Sequence, residues 1–263
     1  MKRFFYSAAL LLAVLSANAQ KTNEVKVAID LKNVTDDKVM VTVTPPAMTE
    51  ATTTYYIPKI VPGTYSEDNY GKMVENLKAY DKNGKELVVA RADDNSWKIQ
   101  DAKKLAKVTY LVNDTYDSEG NGGKDKIFSP AGTNILANEN FVLNMHGFVG
   151  YFDGKGEVPY TLTVSHPATL WAATSLVDTD KADDNDVFAS PRYADVVDHP
   201  IMYSKPDYTT FTVDGMEILI SVYSPHGQIT AKGITPEMEK MMRAQKKFLG
   251  SFNTTKKYSV LLY

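Results

Sequence analysis

Apolar side chains recur at every second position over Val25, Val27, Ile29 and Leu31 and again over Val39, Val41 and Val43, with Thr35-Asp36-Asp37 between the two runs. A period of two puts one set of side chains on one face of a strand, so the pattern predicts a hairpin with a single buried face. A third strand is expected over Thr52 to Ile57, ended by Pro58 and Pro62-Gly63. Leu77 to Tyr80 and Leu87 to Val89 flank Asp81-Lys82-Asn83-Gly84-Lys85, where Asn83-Gly84 is expected to supply the two positive φ angles of a type I′ turn. Further strands are expected at Trp97 to Ile99, Val108 to Val112, Phe141 to Leu143, Phe148 to Phe152 and Tyr160 to Val164. A last hairpin, Thr209 to Val213 with Glu217 to Tyr223, turns at Asp214-Gly215.

Beyond residue 225 the period changes. Thr235-Pro236-Glu237 offers an N-cap hydroxyl, a proline for the first helical position and an acidic first turn. Met238, Met241, Met242, Gln245, Phe248, Leu249 and Phe252 follow at helical spacing, a stripe expected to pack into a core, and Gly250 can end the helix. Lys256 to Tyr263 then reads as a buried strand with no polar tail behind it. A terminal strand leaves an open edge that needs a partner, so the sequence is expected to be the front portion of a longer protein or a chain that borrows its missing partner. The predicted fold class is mainly β: a saddle-like or sandwich-like β domain over residues 20–225, followed over 226–263 by one helix and one strand that begin an α-containing domain.

The first nineteen residues change the cellular picture. Lys2-Arg3, the apolar run Phe4 to Leu15 and the small residues of Ala17-Asn18-Ala19 match a secretory signal peptide cleaved after Ala19. The mature chain is therefore expected in the periplasm or outside the cell, with no membrane association after cleavage. Cleavage leaves 27 basic against 32 acidic side chains, and the lysines are scattered among acids rather than gathered in a patch. That balance argues against nucleic acid as a partner. Cysteine is absent, so disulfides and thiolate metal sites are excluded.

Candidate chemistry is sparse. Histidines 146, 166, 199 and 226 lie too far apart for two to share one helical face, and H-E-x-x-H does not occur. The acidic run Asp178-Thr-Asp180-Lys-Ala-Asp183-Asp184-Asn-Asp186 lacks the sixth-position glycine of a calcium loop and has Ala189 in place of its twelfth-position glutamate. Asp117-Ser-Glu119-Gly-Asn121-Gly122 has Phe128 at that twelfth place. Both read as solvated loops, with weak calcium binding by the first left open. No G-x-S-x-G elbow or phosphate-binding glycine loop is present. Composition and spacing alone describe a secreted β module, and binding of peptide or glycan on a tyrosine-rich face is the alternative to an enzymatic role.

Three stretches carry a resemblance. Ile57-Pro-Lys-Ile-Val-Pro-Gly-Thr-Tyr65, with Asn69-Tyr70 behind it and Trp97 further on, resembles the opening of the N-terminal domain of glycyl aminopeptidases, the PDZ-bearing, thermolysin-like metallopeptidases of family sixty-one. Ile60 stands where that motif usually has tryptophan. Asn140 to Phe152, continued by Pro159-Tyr160, Pro167 and Thr174-Ser-Leu176, is similar to the family's middle segment, and Phe188 to Pro200 is similar to its following block. The resemblance implies a β domain shaped like the saddle of alanyl aminopeptidases, resting on a thermolysin-like catalytic domain of which residues 226–263 would be the start. It also implies zinc held by H-E-x-x-H in that missing domain, no cofactor and no catalytic residue in this chain, and a peptide substrate reached through the catalytic domain. In related saddle domains a polar loop residue helps to bind the substrate's α-amine, and Glu139, within Asn138-Glu139-Asn140, is the candidate substrate-binding residue here.

Overall fold

The computed structural model describes residues 23–64, 66–116, 127, 129–252 and 254–263, so the expected signal peptide and the candidate residues Asp117 to Gly122 with Phe128 lie outside the described residues. The alternating valines of β1 (Val25–Thr35) and β2 (Lys38–Thr44) pair as the expected hairpin, and Asp36 and Asp37 both take positive φ at its turn. β2 pairs onward with β8 (Leu105–Asn113), β8 with β4 (Val74–Asp81) and β4 with the short β5 (Glu86–Leu87). On the other flank β1 takes β12 (Tyr160–Ser165) as a parallel neighbour, and β14 (Asn185–Ser190) forms the edge. The second sheet runs β13 (Trp171–Ala173), β15 (Ile201–Ser204), β10 (Asn140–Leu143), β9 (Asn134–Leu136). The third runs β11 (Tyr151–Phe152), β3 (Thr52–Tyr56), β7 (Ser96–Gln100), β6 (Val89–Asp93). Inward side chains of all three sheets share one core, in which Val25, Val41, Ile99, Phe141 and Phe152 are fully buried. The fold is mainly β, as the periodicity predicts.

Two local expectations fail for identifiable reasons. At Asn83-Gly84 only Gly84 has positive φ. The Asp81 carboxylate accepts from the amides of Asn83 and Lys85, and Asp81 N donates to Lys85 O, which makes a longer turn ending in a left-handed glycine rather than a two-residue type I′ turn. The strand expected over Phe148 to Phe152 is instead a short helix, α1 (Met145–Phe148), followed by β11.

Tyrosine hydroxyls bend the chain between α1 and β11. Gly150 N donates to Tyr55 Oη at 2.8 Å, Tyr55 and Tyr110 hydroxyls lie 2.9 Å apart, and Tyr110 Oη donates to Phe148 O at 2.7 Å. A phenol has one proton, so Tyr55 must donate to Tyr110. Tyr193 and Tyr160 hydroxyls take the carbonyls of Val149 and Gly150. Burial pushes all four phenols well above their ordinary pKa, which keeps them protonated as donors.

The remaining elements form a unit of their own. β16 (Tyr208–Val213) and β17 (Met216–Val222) make the expected hairpin, with Asp214 and Gly215 both at positive φ. α3 (Ala231–Leu249) crosses over the sheet, and β18 (Lys257–Leu262) then pairs parallel to β17. This strand–helix–strand crossover is held together by the β17–β18 ladder and by an apolar cluster of its own. The helix starts earlier than Thr235: the Thr230 side chain accepts from Gly233 N, and the Asp207 carboxylate accepts from Ala231 N. Pro236 sits inside, where it offers no N–H to the carbonyl of exposed Lys232. Ile234, Met238 and Met242, at i,i+4 spacing, face the sheet, whereas Met241, Phe248 and Phe252 of the expected core stripe are exposed. β18 is half-buried rather than buried, lying at the edge of three strands.

A Cβ added to Gly150 would lie 2.1 Å from Tyr56 O and 2.7 Å from Tyr55 Cζ. Gly150→Ala is expected to lower the unfolding free energy by about 3 kcal/mol, the upper end of overpacking penalties. Gly156→Ala, with nothing within 4 Å, is expected to change it little. Urea unfolding of the two variants measures the contrast.

Candidate functional site

Glu139 closes the β9–β10 hairpin. Asn138 adopts a left-handed conformation and Glu139 N donates to Leu136 O at 3.0 Å, which turns the chain sharply. The next residue anchors the base of the turn: Asn140 is fully buried, donates to Tyr203 O at 3.2 Å and accepts from Asn134 Nδ2 at 2.6 Å. Glu139 itself is exposed, and Tyr223 Oη donates to its Oε1 at 2.5 Å. Burial and the neighbouring Glu139 carboxylate push the Tyr223 phenol up to about 12, so it remains a donor at neutral pH. Tyr223 N in turn donates to Leu262 O, and Tyr263 stacks on Tyr116. The carboxylate thus stands where the second sheet meets the end of the three-stranded sheet. Its second oxygen is available to an ammonium group. Tyr223, 84 positions away in sequence, is a partner that no local pattern announces.

The three stretches singled out in the sequence converge around α1. Tyr70 packs edge-on against His146 at 4.4 Å between ring centroids, and Tyr193 reaches Val149. Asn95 holds the first stretch by accepting from Gly71 N and donating to Asn69 Oδ1, while Tyr65 lies outside the described residues. Ile60, in the usual tryptophan position, is more than half exposed.

The histidines do not assemble. His146 is buried against Ala131 O at 2.9 Å, with burial lowering its pKa, and His199 bonds Asp195 O. Among the described residues no group of three His, Cys, Asp or Glu side chains could hold a metal ion. The acidic run spends its carboxylates on its own backbone. Asp178 accepts from the amides of Asp180 and Val187, Asp180 accepts from those of Lys181 and Ala182, and Asp184 pairs with Lys32. This is the arrangement of a folded surface loop.

One histidine does join a buried network. His166 Nδ1 lies 3.1 Å from Pro167 O, and its Nε2 lies 3.2 Å from Asp186 Oδ2, which already accepts from Tyr203 Oη at 2.7 Å. The Nε2–H is imperfectly aligned on the carboxylate. Burial pulls the imidazole pKa down, but Asp186 and the Pro167 carbonyl together outweigh it and raise it above 6.5. Asp186 lies on β14 and Tyr203 on β15, so the network staples the first sheet to the second. It borders a cleft of about 670 Å³ between the second sheet and the three-stranded sheet.

The chain belongs to the peptidase M61 N-terminal domain family, which matches residues 26–205. The structure is similar to an aminopeptidase N family protein from Idiomarina loihiensis, with a TM-score of 0.75 and 18% identity over 89% of this chain and 38% of that one. At that identity the likeness is one of fold. An M1 zinc metallopeptidase from Deinococcus radiodurans aligns with 92% of this chain and 56% of its own, at 13% identity and a TM-score of 0.47. The chain thus spans less than two thirds of either protein. No curated protein matches it.

A raised folded-state pKa at His166 contributes stability that is fully present below the unfolded value and is lost as pH rises through the folded one. As pH rises from below 6.5 through the folded value, His166 is therefore expected to lower the unfolding free energy, against the rise that buried His146 produces with its lowered pKa, and His166→Asn is expected to remove that fall and make the slope more positive. Urea titrations across the range test this, and equal slopes in both proteins would remove His166 as the source.

Proposed function

We propose that this chain serves as the non-catalytic substrate-end domain of a secreted zinc aminopeptidase of the glycyl aminopeptidase type. The observation that carries the reading is Glu139, an exposed carboxylate fixed by a protonated phenol at the junction of two sheets, within a domain of a peptidase family. A peptide's free α-ammonium is the group such a carboxylate would bind. Zinc fits no set of described residues, and the 263 residues contain no H-E-x-x-H. In this reading water activation and bond cleavage therefore belong to a catalytic domain working beside this one. This chain's share is to hold the amino end of the peptide in register with the scissile bond. The leader expected at residues 1–19 supports export to the periplasm or the medium.

An exposed ion pair is worth about 0.6 to 1 kcal/mol, so Glu139→Gln in the enzyme carrying both domains should raise KM for unblocked dipeptides roughly three- to fivefold with kcat nearly unchanged. Unaltered KM and kcat would end the proposed role of Glu139. Separately, this chain given zinc and aminoacyl p-nitroanilides is expected to show no turnover above buffer. Zinc-dependent release of nitroaniline would move catalysis into this chain.

A further inference from the structure

The cleft between the second sheet and the three-stranded sheet has no part in the reading above. β16 forms one wall of it. The two-residue turn at Asp214-Gly215 makes Val213 and Met216 a hydrogen-bonded pair, and the antiparallel ladder then alternates, so Phe211, Thr209 and Asp207 also bond toward β17. The 2.9 Å bond from Val222 N to Asp207 O has this phase. Tyr208, Thr210 and Thr212 consequently direct their N–H and C=O groups outward, along an edge to which no further strand pairs among the described residues. Arg243 Nη2 donates to Thr212 O at 3.3 Å, as an outward carbonyl allows. Among the described residues nothing bonds the backbone of Tyr208 or Thr210 on that side.

The side chains of the same two residues line the cleft. Tyr208 stacks on Trp171 at 4.4 Å and 22°, with half of its surface exposed. On the facing wall the edge of β14 is already covered, because Asp178 bridges to Phe188 and Thr179 N donates to Val187 O. Four carboxylates and two lysines line the space, and Lys257 is engaged by Leu176 O. The cleft stays net negative even with His166 protonated.

We propose that this cleft binds an extended peptide, which adds as a strand to the outer edge of β16 and directs basic side chains toward Asp183 and Glu217. An unpaired row of backbone donors and acceptors is a template for another extended backbone, at about 4.8 Å from the first strand. That spacing sets alternate side chains of the added strand beside the Trp171–Tyr208 stack and the acidic rim. Binding here requires neither zinc nor Glu139, so its failure would leave the peptidase reading untouched.

The test is a fluorescence titration of the full chain with a capped hexapeptide of alternating valine and lysine. Trp171 reports from the cleft, buried Trp97 supplies a constant background, and Trp171→Phe should abolish the response. Saturable binding is expected, weaker by about fivefold or more when glutamate replaces lysine in the probe. N-methylation of the probe's pairing amides, or Thr210→Pro, should weaken it by about tenfold or more, since an edge strand tolerates proline but cannot then pair there. Should Thr210→Pro fail to fold by circular dichroism, the N-methylated probe decides without altering the protein. Equal binding of the N-methylated or acidic probe, or no response to millimolar peptide, overturns the proposal. So does a dimer in sedimentation that Thr210→Pro dissociates, which would assign the edge to a second copy of this chain.

Discussion

Four tyrosine hydroxyls closing on Phe148, Val149 and Gly150 are the constraint on which the arrangement of the sheets depends. Tyr55 comes from the third sheet, Tyr110 and Tyr160 from the first, and Tyr193 from α2 (Tyr193–Val197), while the clasped segment carries the chain from β10 in the second sheet to β11 in the third. Every sheet of the main core is thereby referred to one stretch of backbone. A buried polar network is costly unless each member is satisfied, and here each phenol has a defined donor role. Gly150 is the corollary. The tyrosines approach the backbone so closely that no side chain fits there.

Around this clasp the three stretches that resemble the peptidase family come together, which gives their spacing a physical meaning. They are separated in sequence because each belongs to a different element, and they meet because hydroxyl, carbonyl and aromatic edge groups of one need those of another. The family match over residues 26–205 ends where the hairpin, helix and strand unit begins. That unit is held to the main body by the small cluster of Val142, Ala173, Met202 and Leu219, and by Glu139 with Tyr223. An apolar contact of this size leaves room beside it, and the cleft with its open β16 edge is that room.

The two functional readings depend on different forces. At Glu139 a single charge is exposed to water, so its effect on a substrate's ammonium is small until another surface excludes solvent. At the β16 edge the recognising groups are backbone amides and carbonyls, whose geometry the sheet sets in advance, and charge only tunes which peptide is preferred. The first reading concerns the end of a peptide and the second its middle.

Strands with strict alternation, such as β1, β2 and β8, and the turns at Asp36-Asp37 and Asp214-Gly215 were legible in the sequence, because side-chain period and positive-φ preference act within a few residues. So were the β class and the family resemblance. The parallel pairing of β1 with β12, the kink at α1, the early start of α3 at Thr230 and the partners of Glu139 and His166 were not. Each of these depends on groups far apart in the chain: Tyr55 with Gly150, Asp207 with Ala231, Tyr223 with Glu139, Asp186 with His166. Local pattern determines which face of an element is apolar. Only the closed structure decides which polar groups are buried together, because that depends on which desolvated donor finds which acceptor once the sheets have packed.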